Sequence, residues 1–471
     1  MEKFGYAIIG QGAAAFAAAI KANEIGIKTA IIGKNATEGT KLGGTCINVG
    51  CVPSKRMITV ARFARDLRLK RFKGFDYDAG SLEYEQIVNE KDELVKTLQE
   101  SKYEDVIASL ENVAYINEFG SFEDKNVINA GGKSIEASKI LIATGARSMI
   151  PEIKGIENVD YLDNEKALSL KKLPESLIVV GGRALGLEFA QMFSMFGTKV
   201  IVLQRSNTIL PNWEPSIARH LEKYFRDDGI KIATGVELEA IEKNNNKITL
   251  NAKVGDKSAE FSAEKILFAT GRAPNTERLN LKNAGVEAPK GFIKINNSME
   301  TNVKGIYAAG DVTGNPMLET LAAKEGNIAT QNAFGKSEKR RIDINEVPSA
   351  VFTEPEAAMV GKTEEQVIKE LKTCGCNALP IGLVAKASII SDTRGVVKVV
   401  INPKTHEILG VHMLGHGAAD LIHEGVLAVK FHMKLEDIID TVHVFPTMSE
   451  AFKLACQSFF VDVSKQSCCT V

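Results

Sequence analysis

The chain lacks an excess of either charge. Its 58 Lys and Arg stand against 59 Asp and Glu, a net charge of −1. Nothing in that balance favours nucleic acid or an anionic membrane surface as a partner. One short basic cluster, Lys339-Arg340-Arg341, reads as a solvated loop. The chain also lacks an apolar run long enough to cross a bilayer. Its first apolar run, Tyr6 to Gly10, ends in a glycine turn and is too short for a secretory signal. The expected location is therefore cytoplasmic. Cysteine is scarce: seven residues in 471, odd in number and unevenly spaced. That excludes the disulfide framework of a small secreted protein. In a reducing compartment a cysteine pair points instead to catalysis or metal binding.

What is present is ordinary in bulk, with 44% hydrophobic and 25% charged residues, as in a soluble globular protein. A chain of this length exceeds one core, so about two to four domains are expected. A weak internal repeat organises the first half. Ala7-Ile8-Ile9-Gly10 and Ile178-Val179-Val180-Gly181 each read as a strand entering a tight turn. Gly26 and Gly197 follow at the same interval, near the ends of the helices, and Thr29–Ile32 and Lys199–Leu203 read as second strands. This is the start of a dinucleotide-binding βαβ fold, present twice. Ile140-Leu141-Ile142-Ala143-Thr144-Gly145 is echoed by Ile266-Leu267-Phe268-Ala269-Thr270-Gly271.

The predicted fold class is α/β, with two nested Rossmann-like domains and a C-terminal α+β interface domain. The expected boundaries are 1–150 for the first domain, 151–265 for the second, 266–340 for the return to the first, and 341–471 for the interface domain and its tail.

The first turn, Gly10-Gln11-Gly12-Ala13-Ala14-Ala15, has the spacing G-x-G-x-x-A. Gly10, Gly12 and Ala15 would let a pyrophosphate approach the helix N-terminus. No acid ends the following strand to hold a ribose; Gly33-Lys34-Asn35 stands there. A backbone contact, Lys34 or Glu38 could take that role. In the second turn, Gly181-Gly182-Arg183-Ala184-Leu185-Gly186, Arg183 holds the middle glycine position. It would crowd a dinucleotide unless its side chain points away. The second strand ends in Gln204-Arg205-Ser206, again without an acid. Arg205 and Ser206 suit a 2′-phosphate, which favours NADPH over NADH; the alternative is that Arg205 is a solvated strand-end charge.

The run Gly43-Gly44-Thr45-Cys46-Ile47-Asn48-Val49-Gly50-Cys51-Val52-Pro53-Ser54-Lys55 carries the strongest signal. The glycines permit close approach to a flat cofactor. Val49 to Cys51 would enter a helix, whose N-terminal dipole lowers a thiol pKa. Lys55 falls one turn after Cys51, on the same face. At the other end, Cys468-Cys469 follows the polar segment Ser464-Lys465-Gln466-Ser467. Adjacent cysteines there look like a mobile dithiol that could bind a soft ion or exchange with another disulfide.

The cysteine run, the two nucleotide turns, Ala143-Thr144-Gly145, Gly271-Arg272-Ala273-Pro274-Asn275, Ile306-Tyr307-Ala308-Ala309-Gly310-Asp311 and Phe445-Pro446-Thr447-Met448-Ser449-Glu450 resemble the flavin-dependent pyridine nucleotide–disulfide oxidoreductases. The resemblance spans nearly the whole chain. It implies FAD in the first domain, held by Gly10, Gly12, Ala15, Gly44, Thr45, Lys55, Thr144, Gly145, Ala146, Arg272, Asp311 and Glu319. It implies NADPH on Gly181, Gly186 and Arg205. Lys55 and Glu188 would pair beside the flavin, with Cys46 as interchange thiol and Cys51 as charge-transfer thiol. A two-fold homodimer is implied, its tail serving the partner's site.

Two departures narrow the activity. Members that reduce organic disulfides carry His-Pro-Thr near the C-terminus, and here Phe445 replaces the histidine while Glu450 remains. Phenylalanine cannot protonate a leaving thiolate. His443 would sit roughly 6–7 Å further back along a strand. The ending Lys465-Gln466-Ser467-Cys468-Cys469 instead resembles the branch of the family that reduces Hg(II). Val351-Phe352-Thr353-Glu354-Pro355 and Asp392-Thr393-Arg394-Gly395 resemble that branch's interface domain. Phe445 and Tyr161 fall at its two tyrosine positions near the metal. No N-terminal metallochaperone-like domain is expected, and Cys374-Gly375-Cys376 lacks that domain's spacing, so it reads as a loop pair. The implied substrate is Hg(II) carried by thiols, reduced to Hg(0), with Cys46, Cys51, Cys468 and Cys469 as its ligands. The rivals are a dihydrolipoamide dehydrogenase-like disulfide reductase lacking the histidine, and a flavoprotein that binds thiophilic metal or senses redox state.

Overall fold

A computed structural model describes residues 1–69, 72, 74, 80–244, 247–314, 316–335 and 338–467. The repeat read from the glycines becomes two sheets, each built on parallel strands. In the first, the strand Glu2–Ile9 is buried from Tyr6 onward, as a strand covered on both faces must be. It lies parallel to Thr29–Ile32 on one side and Lys133–Ile142 on the other. Val113–Ile116 extends the sheet beyond Thr29–Ile32, and Ile306–Ala308 pairs with Lys133–Ile142. An antiparallel hairpin, Gly120–Asp124 and Val127–Ala130, completes seven strands. The helix Ala13–Glu24 buries Ala14, Ala15, Ala18, Ala19 and Ala22. Small side chains let it touch the helix Glu319–Phe334 so closely that a Cβ on Gly326 would lie 2.1 Å from the Ala14 carbonyl oxygen.

The second sheet holds Lys231–Thr234, Lys199–Gln204, Ser176–Val180 and Lys265–Phe268, all parallel. The last pairing corrects the expected boundary at 266. Lys265–Phe268 completes the second sheet, so the return to the first lies beyond it. The helix Ala184–Phe196 crosses this sheet, nearly all its side chains buried. An antiparallel layer, Val236–Asn244, Lys247–Val254 and Lys257–Ala263, packs on the other side.

The third unit is an antiparallel sheet of Ser349–Val351, Glu356–Gly361, Ile408–Gly415, Val396–Ile401 and Gly375–Pro380. The helices Ala418–Lys430 and Glu450–Gln457 cover its apolar side.

One helix, Cys51–Leu69, ties these units together. Lys55, Arg62, Arg65 and Arg68 recur at helical spacing along one face. Lys55 Nζ lies 2.6 Å from Glu188 Oε2, Arg62 Nε 3.2 Å from Glu354 Oε2, and Arg65 Nη2 3.0 Å from Asp228 Oδ1. Arg68 donates to the Met195 carbonyl. Among the described residues no helix is long and apolar enough to cross a membrane.

Candidate active site

The strands of the first sheet end at a cavity of about 570 Å3 lined by Gly12, Lys34, Thr45, Thr144, Gly145 and Arg272 among others. Gly10 has φ +130°, and a Cβ there would meet the Ala143 carbonyl oxygen at 2.1 Å. Gly44 has φ +69° and lies against Gly12, whose Cα a Gly44 Cβ would meet at 2.8 Å. The two turns leave a bare cleft at the start of the helix Ala13–Glu24, where anions are favoured. Ala15 is fully buried behind it, allowing close helix–sheet packing. Thr144 Oγ1 is buried with no partner. A hydroxyl in that position fits a polar ligand, and the cleft, the unpartnered hydroxyl and the glycine approach together fit FAD.

At the missing ribose acid, Lys34 Nζ lies 3.2 Å from both Glu118 Oε2 and the Asn117 carbonyl. Gln11 Nε2 donates to Asn35 Oδ1 at 3.0 Å, and Tyr115 OH donates to Gln11 Oε1 at 2.7 Å. Sequence reasoning missed Glu118. It follows the neighbouring strand Val113–Ile116 and brings a carboxylate to the cavity wall. Arg272 Nε lies 3.5 Å from Asp311 Oδ2, and burial pushes the Asp311 carboxyl up. Glu325 accepts from the Gly310 N–H at 2.6 Å, and burial pushes it up to about 7.

The cysteine run enters a helix at Cys51, as expected, and a short helix precedes it. Gly44–Val49 forms a short helix, Gly50 interrupts it at φ −123° and ψ −116°, and Cys51 begins the next. A Cβ on Gly50 would stand 3.0 Å from the Cys46 Cα. The bare Gly50 backbone therefore lets the two helices double back until the Cys46 and Cys51 thiols share a hydrogen bond. Cys46 donates, so its own thiol is held well up, by that bond first and by burial second. Cys51 is pulled down by accepting it and, against burial, by the Lys55 ammonium. The helix N-terminus acts in the same direction. The two sulfurs thus stand side by side, one thiol pulled down and the other held up.

Glu188 is only 5% exposed. Its second oxygen accepts from the Phe352 N–H at 2.9 Å, and the Phe352 ring centre lies 4.7 Å from Lys55 Nζ. The interface motifs explain how Phe352 is held. Arg394 Nη2 lies 2.7 Å from Asp392 Oδ2 and 3.6 Å from Glu354 Oε1, and Arg62 closes on Glu354 from the cysteine helix. Glu319 begins the helix Glu319–Phe334, and its charge raises both cysteine thiols. Tyr103, another residue the sequence did not signal, packs edge-on to Phe16 at 4.8 Å and faces Gly43. Tyr161 packs instead on Phe268, ring centres 5.5 Å apart, in the second sheet's core.

In the second turn, Gly181 has φ +123°, and a Cβ on Gly186 would lie 1.9 Å from the Gly181 carbonyl oxygen. Arg183 caps the helix Ala184–Phe196 with its side chain exposed, so it does not fill the turn. Gln204 Oε1 accepts from the Gly182 N–H at 2.8 Å. Arg205 is exposed and has no hydrogen-bonding or ionic partner among the described residues.

Near the C-terminus, Phe445 is 52% exposed. His443 Nε2 lies 2.9 Å from Glu424 Oε1, and Glu450 Oε2 accepts from the Thr447 N–H at 3.3 Å. Cys468 and Cys469 lie outside the described residues.

Comparison with known proteins adds independent findings. Residues 4–326 match the pyridine nucleotide-disulphide oxidoreductase family, and residues 347–456 match that family's dimerisation domain. The chain is 39% identical to a mercuric reductase of Staphylococcus aureus, over 98% of this chain and 83% of the relative. It is 32% identical to dihydrolipoyl dehydrogenase 1, mitochondrial, of Arabidopsis thaliana, over 96% and 90%. Among solved structures, the HOCl-induced flavoprotein disulfide reductase RclA of Escherichia coli superposes with a TM-score of 0.86 at 28% identity, covering 96% of this chain and 99% of that one.

Proposed function

The chain belongs to the pyridine nucleotide-disulphide oxidoreductase family, a family of homodimeric FAD- and NAD(P)H-dependent oxidoreductases, and from that membership we propose that it uses NADPH to reduce thiol-bound Hg(II) to Hg(0). One observation carries the reading. Two cysteines, one thiol pulled down and the other held up, are set beside an ammonium, while the position of the family's protonating histidine is an exposed Phe445 and His443 is tied to Glu424.

Gly12, Gly44, Thr45 and Thr144 would hold FAD, with Arg272 on the cavity wall and Asp311 beside it. When bound, FAD supplies transfer of an electron pair from the nicotinamide to the cysteine site. Lys55 and Glu188 keep that site's charge fixed. Arg205 and Ser206 would hold the 2′-phosphate that distinguishes NADPH from NADH. Cys468 and Cys469, from the partner chain, would receive Hg(II) by thiol exchange and pass it to Cys46 and Cys51, the protons leaving with the displaced thiols. Two electrons then convert Hg(II) to Hg(0). That product takes up no proton, so the site needs no acid at Phe445. The mercuric reductase relatives support this reading.

The second reading is a disulfide reductase. It is favoured by the retained Glu450 and by the dihydrolipoyl dehydrogenase and RclA likenesses. The test is NADPH oxidation driven by HgCl2 in excess thiol, with volatile mercury collected. Release of mercury that stops in Cys46→Ala supports the first reading. Turnover with lipoamide or glutathione disulfide but no mercury release supports the second.

A further inference from the structure

Cys374 and Cys376 lie in the interface domain, outside the flavin cleft. They flank Gly375 at the start of Gly375–Pro380, the edge strand of its sheet. Alternate residues of a strand share a face. Gly375 points the other way, because a Cβ there would meet Ile401 at 2.7 Å. Both thiols therefore share the face that carries Lys398 and His412, which stand in register with Ala378.

The surroundings are polar, and both cysteines are half-buried. Cys374 Sγ donates to the Gly375 carbonyl at 3.3 Å, and each thiol feels the other and the Glu364 carboxylate. Glu364 Oε2 and Glu214 Oε1 each accept from Lys398 Nζ at 2.6 Å, and Lys398 and Glu214 are buried. His412 is fully buried and held neutral by that burial, and its Nδ1 has no partner.

Burial holds Cys374 up, and burial with the Glu364 carboxylate pushes Cys376 up to about 12. Both are thiols at neutral pH, which disfavours rapid disulfide exchange, since the attacking species is the thiolate. A soft cation that displaces thiol protons is a different matter. Among the described residues no three His, Cys, Asp or Glu side chains converge as metal ligands. The described residues therefore do not build the four-ligand set that zinc takes. An ion satisfied by two sulfurs fits.

We propose that Cys374 and Cys376 form a two-sulfur site for a soft cation of the Hg(II) type, separate from the redox cysteines. A mercury bis-thiolate entering the site loses two Hg–S bonds and gains two. The protons of Cys374 and Cys376 leave on the two small thiols released, and no electrons move. Asn377 Nδ2 donates to the Ser458 carbonyl at 2.8 Å, so the site lies on the strand that anchors the root of the C-terminal segment.

The inference is independent of the proposed reaction, because binding is read in a chain that cannot turn over. The full-length flavoprotein carrying Cys46→Ala, Cys51→Ala, Cys468→Ala and Cys469→Ala is dialysed against HgCl2 in excess free cysteine. Bound mercury is counted, and its neighbours are read by X-ray absorption. One mercury per chain with two sulfurs is expected. Cys374→Ser or Cys376→Ser alone should weaken retention by about ten- to a hundredfold, because a tethered second thiol acts at millimolar effective concentration. Unchanged retention in either single variant, or two mercury ions per chain, overturns the proposal. A readout that needs no further substitution is alkylation mapped by peptide mass. Bound mercury should shield Cys374 and Cys376 together from N-ethylmaleimide, and shielding of one without the other also overturns it.

Discussion

Phe352 clamps Glu188 through its backbone, the N–H donating at 2.9 Å, and the same residue lays its ring 4.7 Å from the Lys55 ammonium. One interface residue thus touches both members of the ion pair that flanks Cys51. The interface domain therefore helps to set the charge felt by the redox thiol.

That charge is measurable. The Lys55 ammonium lowers the Cys51 thiol and the Glu188 carboxylate raises it. In a Cys46→Ala background, Lys55→Met should move the pH midpoint of Cys51 alkylation upward, and Glu188→Gln should move it downward. The rate of reaction with iodoacetamide follows the thiolate fraction. Coincident midpoints in the two variants would refute the assignment.

The two thiols should differ spectroscopically. In the two-electron-reduced flavoprotein, Cys51→Ala is expected to lose the long-wavelength absorbance of a thiolate against the flavin, while Cys46→Ala retains it. The reverse pattern would exchange their roles.

Arg205 is exposed and has no partner among the described residues, so its replacement should act on the ligand alone. Arg205→Glu should raise the Michaelis constant for NADPH far more than that for NADH. Losing a charge-assisted phosphate contact costs about 1.5–3 kcal/mol, roughly one to two decades. Equal effects on both nucleotides would remove the argument.

Gly44→Ala places a methyl 2.8 Å from the Gly12 Cα at φ +69°. Backbone meets backbone, so no side chain can swing aside. The variant should purify with little or no flavin and lose on the order of 1–3 kcal/mol of stability. Flavin absorbance per chain and a urea titration check both. Full flavin content would show that the cleft is wider than this contact implies.

Cys468→Ala with Cys469→Ala should leave flavin content and the reduced spectrum unchanged. Turnover should fall sharply when Hg(II) is presented by a bulky dithiol, and less with small ligands. Mixed dimers of this variant with Cys46→Ala contain one site with both an intact inner pair and an intact partner tail. Partial activity should return in them, and refolded mixtures as inactive as their parents would place the tail in its own chain's service.

What the sequence revealed was local. The strands before Gly10 and Gly181, the bare turns after them and the thiol pair are written in spacings of a few residues, and those are features a single stretch of chain dictates. What it hid depends on distant partners. Gly50 could be seen, but its role in folding one helix back on another depends on its contact with Cys46. Glu118, Tyr103 and Phe352 lie on segments that carry no motif for their neighbours. Lys265–Phe268 looked like a return to the first sheet because it echoes a first-sheet strand, yet strand pairing, which no echo encodes, puts it beside Ser176–Val180.

The polar face of the helix Cys51–Leu69 has a mechanical consequence. Lys55, Arg62, Arg65 and Arg68 are each bolted to a different anchor: Glu188, Glu354, Asp228 and the Met195 carbonyl. The helix is about 28 Å long at 1.5 Å per residue, and its first residue is Cys51. It behaves as a tiller. A small swing of the nucleotide-side sheet, applied at Asp228 or Met195, is carried along a rigid rod to Cys51.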